Sequence, residues 1–241
     1  MAQSFTSILT MAEKRKGGSD ILHSILSNPL SNTQLSQLPD DRFLAMMTKA
    51  INQAGFNWTV IANKWPQFEE AFHDFNVNKL THLPPEAWDA YIHDKRVVRH
   101  GQKIKTVRDN AFFISQVAKE HGSFAAFIAN WPESDYVGLL AFLKKHGSRL
   151  GGNTGQWFLR YIRKDGFILT KDVTLALQHA QVDVNSPITS KRDFTKAQDA
   201  FNQWHQETGL CYTHLSNIAA YSIGTNYEIP FIEQEMAKFS N

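Results

Sequence analysis

Apolar residues along this chain recur at three- and four-residue intervals almost everywhere, and runs alternating strictly between apolar and polar are scarce. The pattern predicts an all-α protein. Phe43, Leu44, Met47, Ala50, Ile51 and Ala54 keep this rhythm up to Gly55, where a left-handed glycine can end a helix. Trp58, Ile61 and Ala62 begin the next one, which Pro66 is expected to interrupt, and Pro84-Pro85-Glu86 marks another start. Ile104, Val107, Ala111, Ile114 and Ala118 predict a long amphipathic helix ending near His121-Gly122, after which Ser123 can cap a short one.

Further along, Val137, Leu140, Ala141 and Leu143 predict a helix up to His146-Gly147. Trp157, Phe158, Tyr161 and Ile162 predict another that stops around Asp165-Gly166. Two helices therefore flank a glycine-rich turn. Thr170 can cap a helix carrying Val173, Leu175, Ala176 and Leu177, and Ser190 one carrying Phe194, Ala197, Phe201 and Trp204, closed by Gly209. Residues 1–36 are weakly patterned, and the Lys16-Gly17-Gly18 break suggests a mobile edge. The expected organisation is a peripheral segment over 1–36, one compact helical domain over 37–224 with a helix-hairpin-helix at about 135–164, and a tail over 225–241.

With 241 residues, 42% of them hydrophobic, the chain can fill a substantial core. It holds no stretch of about 18 uninterrupted apolar residues, so no membrane partner is expected. The polar start ahead of Lys14-Arg15-Lys16 has the wrong order for a signal peptide. The single cysteine, Cys211, excludes an internal disulfide and a multi-cysteine zinc site, and fits a reducing compartment. A cytoplasmic monomer is the expectation.

Lys and Arg number 25 against 23 Asp and Glu, a net +2 that excludes a uniformly basic coat. The charges are nonetheless segregated. Lys95, Arg96, Arg99, Lys103, Lys105 and Arg108 form one acid-free block, and Lys144, Lys145, Arg149, Arg160, Arg163 and Lys164 form a second. The remaining 206 residues carry 13 basic and 23 acidic groups, a balance of −10. Two such blocks suggest a phosphate-binding face on an acidic body, with two solvated helix ends as the alternative.

The second block surrounds Leu150-Gly151-Gly152-Asn153-Thr154-Gly155. Glycines let the backbone approach a ligand, and the N-terminus of the following helix offers unpaired N–H groups to a phosphate. The Gly-Lys-Ser/Thr ending of a nucleotide P-loop is missing and no strand precedes the turn. A helix-hairpin-helix phosphate clamp fits better, and a purely structural helical hairpin is the other reading.

Gln53-Ala54-Gly55-Phe56-Asn57-Trp58, then Val97-Val98-Arg99-His100-Gly101-Gln102-Lys103-Ile104, then Asp109-Asn110-Ala111, then Lys144-Lys145-His146-Gly147 through the glycine turn resemble, in this order, the 3-methyladenine DNA glycosylase I (Tag) family. The resemblance covers roughly residues 40–180. It implies an all-helical helix-hairpin-helix enzyme, monofunctional, that hydrolyses the N-glycosidic bond of an alkylated purine, foremost 3-methyladenine, in base excision repair. The partner it implies is double-stranded DNA containing alkylated bases, and the base must first be flipped from the duplex. On this reading Trp58 stacks on the base, where a cationic purine gains stacking and cation–π attraction of about 1–3 kcal/mol; a core tryptophan is the alternative. Gln53, Phe56 and Asn57 line the base site. Gly151, Gly152, Asn153, Thr154, Gly155, Lys144, Lys145, Arg149, Arg99 and Lys103 contact DNA.

Three departures qualify the resemblance. Where the family has a base-recognising glutamate eight residues before its tryptophan, this chain has Ala50. The family's zinc ligands are absent, the corresponding C-terminal stretch reading Lys171-Asp172-Val173-Thr174-Leu175-Ala176, so neither a zinc ion nor any other cofactor is expected. The family's aromatic-rich N-terminal block has no counterpart in residues 1–36, leaving Tyr161 and Glu13 as candidate fillers. Many other helix-hairpin-helix glycosylases place a catalytic aspartate at the start of the helix after the clamp, and Asp172 stands there; an acid in a first turn is also an ordinary partner of the helix dipole. Lys171 beside it is not expected to attack the sugar. The competing functions are a DNA- or damage-binding protein without excision and a helical scaffold for acidic partners.

Overall fold

The computed structural model describes residues 2–237; Met1 and 238–241, the last four residues of the expected tail, lie outside them. Among the described residues the regular structure is entirely helical. In chain order the α-helices are α1 (Thr6–Lys16), α2 (Ser19–Ser24), α3 (Asn32–Ser36), α4 (Asp40–Gln53) and α5 (Trp58–Ala71). There follow α6 (Val77–Thr81), α7 (Pro85–Ala90), α8 (Gly101–His121), α9 (Phe124–Asn130) and α10 (Tyr136–His146). The last five are α11 (Asn153–Tyr161), α12 (Lys171–His179), α13 (Lys191–Thr208), α14 (Tyr212–Ser222) and α15 (Ile229–Ala237). The signals read from the sequence act where expected: Ser123, Thr170 and Ser190 cap α9, α12 and α13 through their side-chain oxygens, and Gly209 ends α13 with φ +70°.

Pro66 does not interrupt its helix, contrary to expectation; α5 runs through it to Ala71. The lost N–H and the crowding of the preceding turn are accepted where the neighbouring ring is already fixed. Trp65 stacks on Phe68 and on Phe75, both at 5.5 Å between centroids.

The chain divides into two compact units. Residues 30–131 and 139–164 form one, and residues 2–29, 132–138 and 165–237 belong to the other. In the first, α4 is the central element, packing against α5, α6, α8, α9 and α11. It is buried nearly all round, so beside Phe43, Leu44, Met47 and Ile51 it also carries Thr48, Lys49, Asn52 and Gln53 into the interior. Buried polar groups of this kind require partners. Asn52 finds one in the Thr48 carbonyl one turn back, at 2.9 Å.

In the other unit α1, α12 and α13 pack on α14. Phe5 meets Trp204 at 5.2 Å, and Phe167 stacks on Phe201 at 4.3 Å. The first residues of the chain are therefore core here, with Phe5, Ile8 and Ala12 buried. Nor is the Lys16-Gly17-Gly18 break a loose edge. Gly17 ends α1 with φ +89°, and buried Lys16 donates from Nζ to Asn226 Oδ1 at 2.9 Å and to the Tyr227 carbonyl at 2.7 Å. None of the described helices is long and apolar enough to cross a membrane.

Candidate functional site

The glycine-rich turn joins α10 to α11, and its shape follows from two close contacts. A Cβ on Gly155 would lie 2.4 Å from the Leu150 carbonyl oxygen, and one on Gly147 would lie 2.5 Å from Leu150 Cδ1. Only hydrogen at these positions lets the hairpin close. The turn is then tied to α8 by Asn110, whose buried carboxamide donates to the Ser148 carbonyl (3.1 Å) and accepts from the Ser148 N–H (2.8 Å). Gly152, at φ +59°, opens α11 without a side-chain cap. The first N–H groups of α11 are thus of the kind that can bind an anion. Lys144, Lys145 and Arg149 are exposed around the turn, as are Gly152 and Asn153; Gly151 and Thr154 are half-buried. Gly155, expected at the DNA face, is buried as the packing contact just described.

A second turn, residues 54–57, links α4 to α5. Asn57 caps α5 by accepting from the Thr59 N–H at 2.9 Å, Gly55 takes φ +79°, and Phe56 is 41% exposed. The turn is held from inside by Lys103. This lysine was expected to contact DNA, but it is buried and turned inward, its Nζ donating to the carbonyls of Asn52 (3.0 Å) and Ala54 (2.8 Å) and lying 4.2 Å from the Phe56 ring centroid. It occupies the carbonyl end of α4, where the helix dipole favours a cation. Burial, with the Arg149 charge nearby, pushes its pKa down to about 8. Lys164 does the same for α9, donating to the carbonyls of Ala129 (3.1 Å) and Trp131 (2.8 Å). Lys103 and Lys164, both in the basic blocks, are therefore structural. Arg99, Lys105 and Arg108 are exposed, and Arg96 is held by Asp94 (2.7 Å) and Glu70 (2.9 Å).

Trp58, half-buried at the start of α5, meets Trp157 of α11 edge to face at 5.0 Å, and Trp157 lies 5.9 Å from Tyr161. The Tyr161 hydroxyl donates to Gln53 Oε1 at 2.6 Å. One turn earlier on α4, Lys49 lies 5.8 Å from the Tyr161 ring and 5.7 Å from that of Trp65. Burial lowers the Lys49 pKa, opposed by Glu69, which itself accepts from Trp65 Nε1 (2.9 Å) and from both terminal nitrogens of Arg42. The structure thus brings Trp58 and Gln53 into one cluster and adds Lys49, Trp157 and Tyr161. Of these three, only Tyr161 is among the candidates the sequence offers. The signal for Lys49 was available, since it stands one helical turn before Gln53 on a helix with almost no polar face. Ala50, between Lys49 and Gln53 in sequence, is buried.

Asp172 belongs to the other unit. It is half-buried in the first turn of α12, behind the Thr170 cap, and a Cβ on Gly224 would lie 2.2 Å from its Oδ1. Gly224 is held in turn by Arg15, which donates to its carbonyl at 2.7 Å. Among the described residues no group of three or more His, Cys, Asp or Glu is placed to hold a metal ion.

Residues 35–138 match the family described as methyladenine glycosylase. A Haemophilus influenzae protein named DNA-3-methyladenine glycosylase is 29% identical over 76 residues, and DNA-3-methyladenine glycosylase 1 of Escherichia coli K12 is 26% identical over 76. In each case the match covers 32% of this chain and 41% of the relative, so the chain spans about two fifths of the length of these curated relatives. Among solved structures, that of Methanocaldococcus jannaschii 8-oxoguanine glycosylase/lyase in complex with a 15-mer DNA containing 8-oxoguanine superposes with a TM-score of 0.51 at 14% identity. It covers 88% of this chain and 95% of that one, which is a likeness of fold. The all-helical, helix-hairpin-helix glycosylase fold expected from the sequence is the fold found.

Proposed function

We propose that this chain, whose residues 35–138 match the methyladenine glycosylase family, is a monofunctional DNA glycosylase that frees an alkylated purine from double-stranded DNA. The observation that carries this reading is a glycine-rich hairpin opening on an uncapped helix start, with an aromatic cluster built within the same unit. The uncapped start of α11, with Lys144, Lys145 and Arg149 around it, takes the DNA backbone. A flipped base then stacks beside Trp58 and Trp157. Flipping costs a few kcal/mol and is easiest for a damaged, poorly paired base. In the reaction water adds across the N-glycosidic bond: its oxygen goes to C1′ of the sugar, its proton to the departing purine, and an abasic site remains.

Incubation with methylated duplex DNA tests the reading. Free methylated purine is expected to appear with time. Trp58→Ala should slow release about 10- to 100-fold, in line with about 1–3 kcal/mol for stacking one base, and leave salt-dependent binding to undamaged duplex within about twofold. Absence of any freed base at enzyme excess, with duplex binding intact, would instead favour the DNA-binding protein without excision.

A further inference from the structure

In the unit built on α14, a cavity of about 310 Å³ lies between α1, α12 and the end of α14. That is the lower end of the range for small-molecule sites, about 300–1,000 Å³. Its walls are mostly apolar: Ile8 and Met11 come from α1, Ala176 from α12 with Ala180 just after it, and Ile223 from the end of α14. Ala176 and Ala180 stand one helical turn apart, and neither side chain extends past Cβ to fill the space.

Arg15, one turn beyond Met11 on α1 and half-buried, adds a charge to these walls. Its Nε donates to the Tyr221 carbonyl at 2.9 Å and its Nη2 to the Gly224 carbonyl at 2.7 Å. These bonds fix the guanidinium without neutralising it. No Asp or Glu lines the cavity, and among the described residues Arg15 forms no ion pair, not even with Asp172, which packs on Gly224. The other polar side chains in the wall are Ser7, His179 and Ser222. None of them is an anion, and the Ser222 hydroxyl is engaged by the Ala219 carbonyl at 2.8 Å.

A fixed cation in the wall of an apolar cavity selects a ligand that is apolar over most of its body and negative at one end. A guanidinium takes a carboxylate through short, charge-assisted bonds. Because Arg15 is already held, little side-chain freedom is lost when it does so. The small volume suits a compact body, an aryl ring or a branched chain, rather than a long lipid tail. We propose that this cavity binds a small amphipathic carboxylate, its acid group on Arg15 and its apolar body against Ile8, Ala176 and Ile223.

Calorimetric titration of the full-length protein with three probes tests this. The probes are 4-phenylbutyrate, its neutral amide, which keeps the body and loses the charge, and acetate, which keeps the charge and loses the body. The acid is expected to bind with a Kd of about 1 mM or tighter, and the amide and acetate at least about 10-fold more weakly. Arg15→Gln should remove the preference for the acid, but it also cuts the bonds to Tyr221 and Gly224. Met11→Glu is the cleaner variant. Met11 is 48% exposed, so the fold accommodates the change, and a glutamate four residues before Arg15 pairs with the guanidinium. It should weaken the acid about 10-fold and leave the amide within about threefold, whereas Met11→Leu should bind both as the wild type does. A Kd for the acid above about 10 mM, equal affinity for acid and amide, acetate binding as tightly as the acid, or undiminished binding of the acid by Met11→Glu would overturn the proposal. Each of these outcomes leaves the glycosylase reading untouched.

Discussion

Two turns in the same unit each join a pair of helices through glycine, yet they are held by opposite means. The hairpin turn between α10 and α11 closes by backbone contact, with Gly147 and Gly155 against Leu150 and the uncharged Asn110 clasping Ser148. The turn between α4 and α5 has open space around Gly55 and is tied down by one buried ammonium, that of Lys103. The first arrangement resists any change of shape and is indifferent to pH. The second tolerates added volume and depends on a group that titrates. Under the proposed function, a turn that presents backbone N–H groups to a phosphate at a fixed spacing suits the first design, and a turn next to the proposed base site suits the second.

The largest effect is expected from Gly155→Ala. An added methyl in a packed interior costs about 1–3 kcal/mol, and here the obstacle is the Leu150 carbonyl at 2.4 Å, which cannot swing aside as a side chain would. The substitution should destabilise the protein by the top of that range or more in urea denaturation, and weaken duplex binding with it. A loss under about 0.5 kcal/mol would show that the hairpin is not held by close packing.

Asn110→Ala comes next. It deletes both bonds to Ser148 and leaves a partly buried N–H and carbonyl without partners, for about 2 kcal/mol. Asn110→Asp separates the two halves of the clasp. It keeps the acceptor for the Ser148 N–H but turns a carboxylate toward the Ser148 carbonyl, and should cost about as much as alanine.

The hairpin was also the more legible of the two turns. Its glycines, the flanking periodicity and the surrounding charge are all local features of the sequence, and the ends at Gly55, Gly122 and Gly209 were equally local. What the sequence hid is the direction in which a lysine points. Lys103 and Lys164 stand in acid-free basic blocks and look like DNA contacts, but each turns its ammonium onto the carbonyl end of a helix distant in sequence. Charge patterning counts cations without telling which are spent on such carbonyls. The same blindness made Lys16 look like part of a loose edge, and it left Lys49 unnoticed, since its partners are rings far along the chain. Pro66 was misjudged for a related reason: the stacking of Trp65 that holds α5 together depends on Phe75, which lies beyond the helix.

The dependence on titration can be measured directly. Lys103 has a pKa of about 8 in the folded protein against an ordinary lysine value of 10.5. Between these values the unfolded chain keeps a proton that the folded protein has released, so this group makes stability rise with pH across that window; below about pH 8 its penalty is constant. Lys103→Met removes the titration. The stability of wild type minus that of Lys103→Met should therefore climb from pH 8 to 10.5, with a slope approaching about one proton, and stay flat from pH 6 to 7.5. Asn110→Ala, measured in the same way, should show no such slope. A slope for Asn110→Ala, or none for Lys103→Met, would erase the distinction between the two turns.

The smallest effect, and the sharpest contrast with the first, is expected from Gly55→Ala. A Cβ here meets nothing within 4 Å, so the steric penalty that dominates at Gly155 is absent. What remains is conformational. Gly55 has φ +79°, a region that costs an L-residue about 1–2 kcal/mol. Part of this is offset because alanine stiffens the unfolded chain, worth about 0.4–1 kcal/mol. The net loss should be near or below about 1 kcal/mol, and Gly55→Asn, better suited to the left-handed region, should lose less still. Because Lys103 bonds to the carbonyls of Asn52 and Ala54 rather than to residue 55, neither substitution should alter the pH window of the Lys103 titration. If Gly55→Ala proved as damaging as Gly155→Ala, the α4–α5 turn would have to be packed against something in solution, and the tolerance of added volume that separates it from the hairpin would be lost.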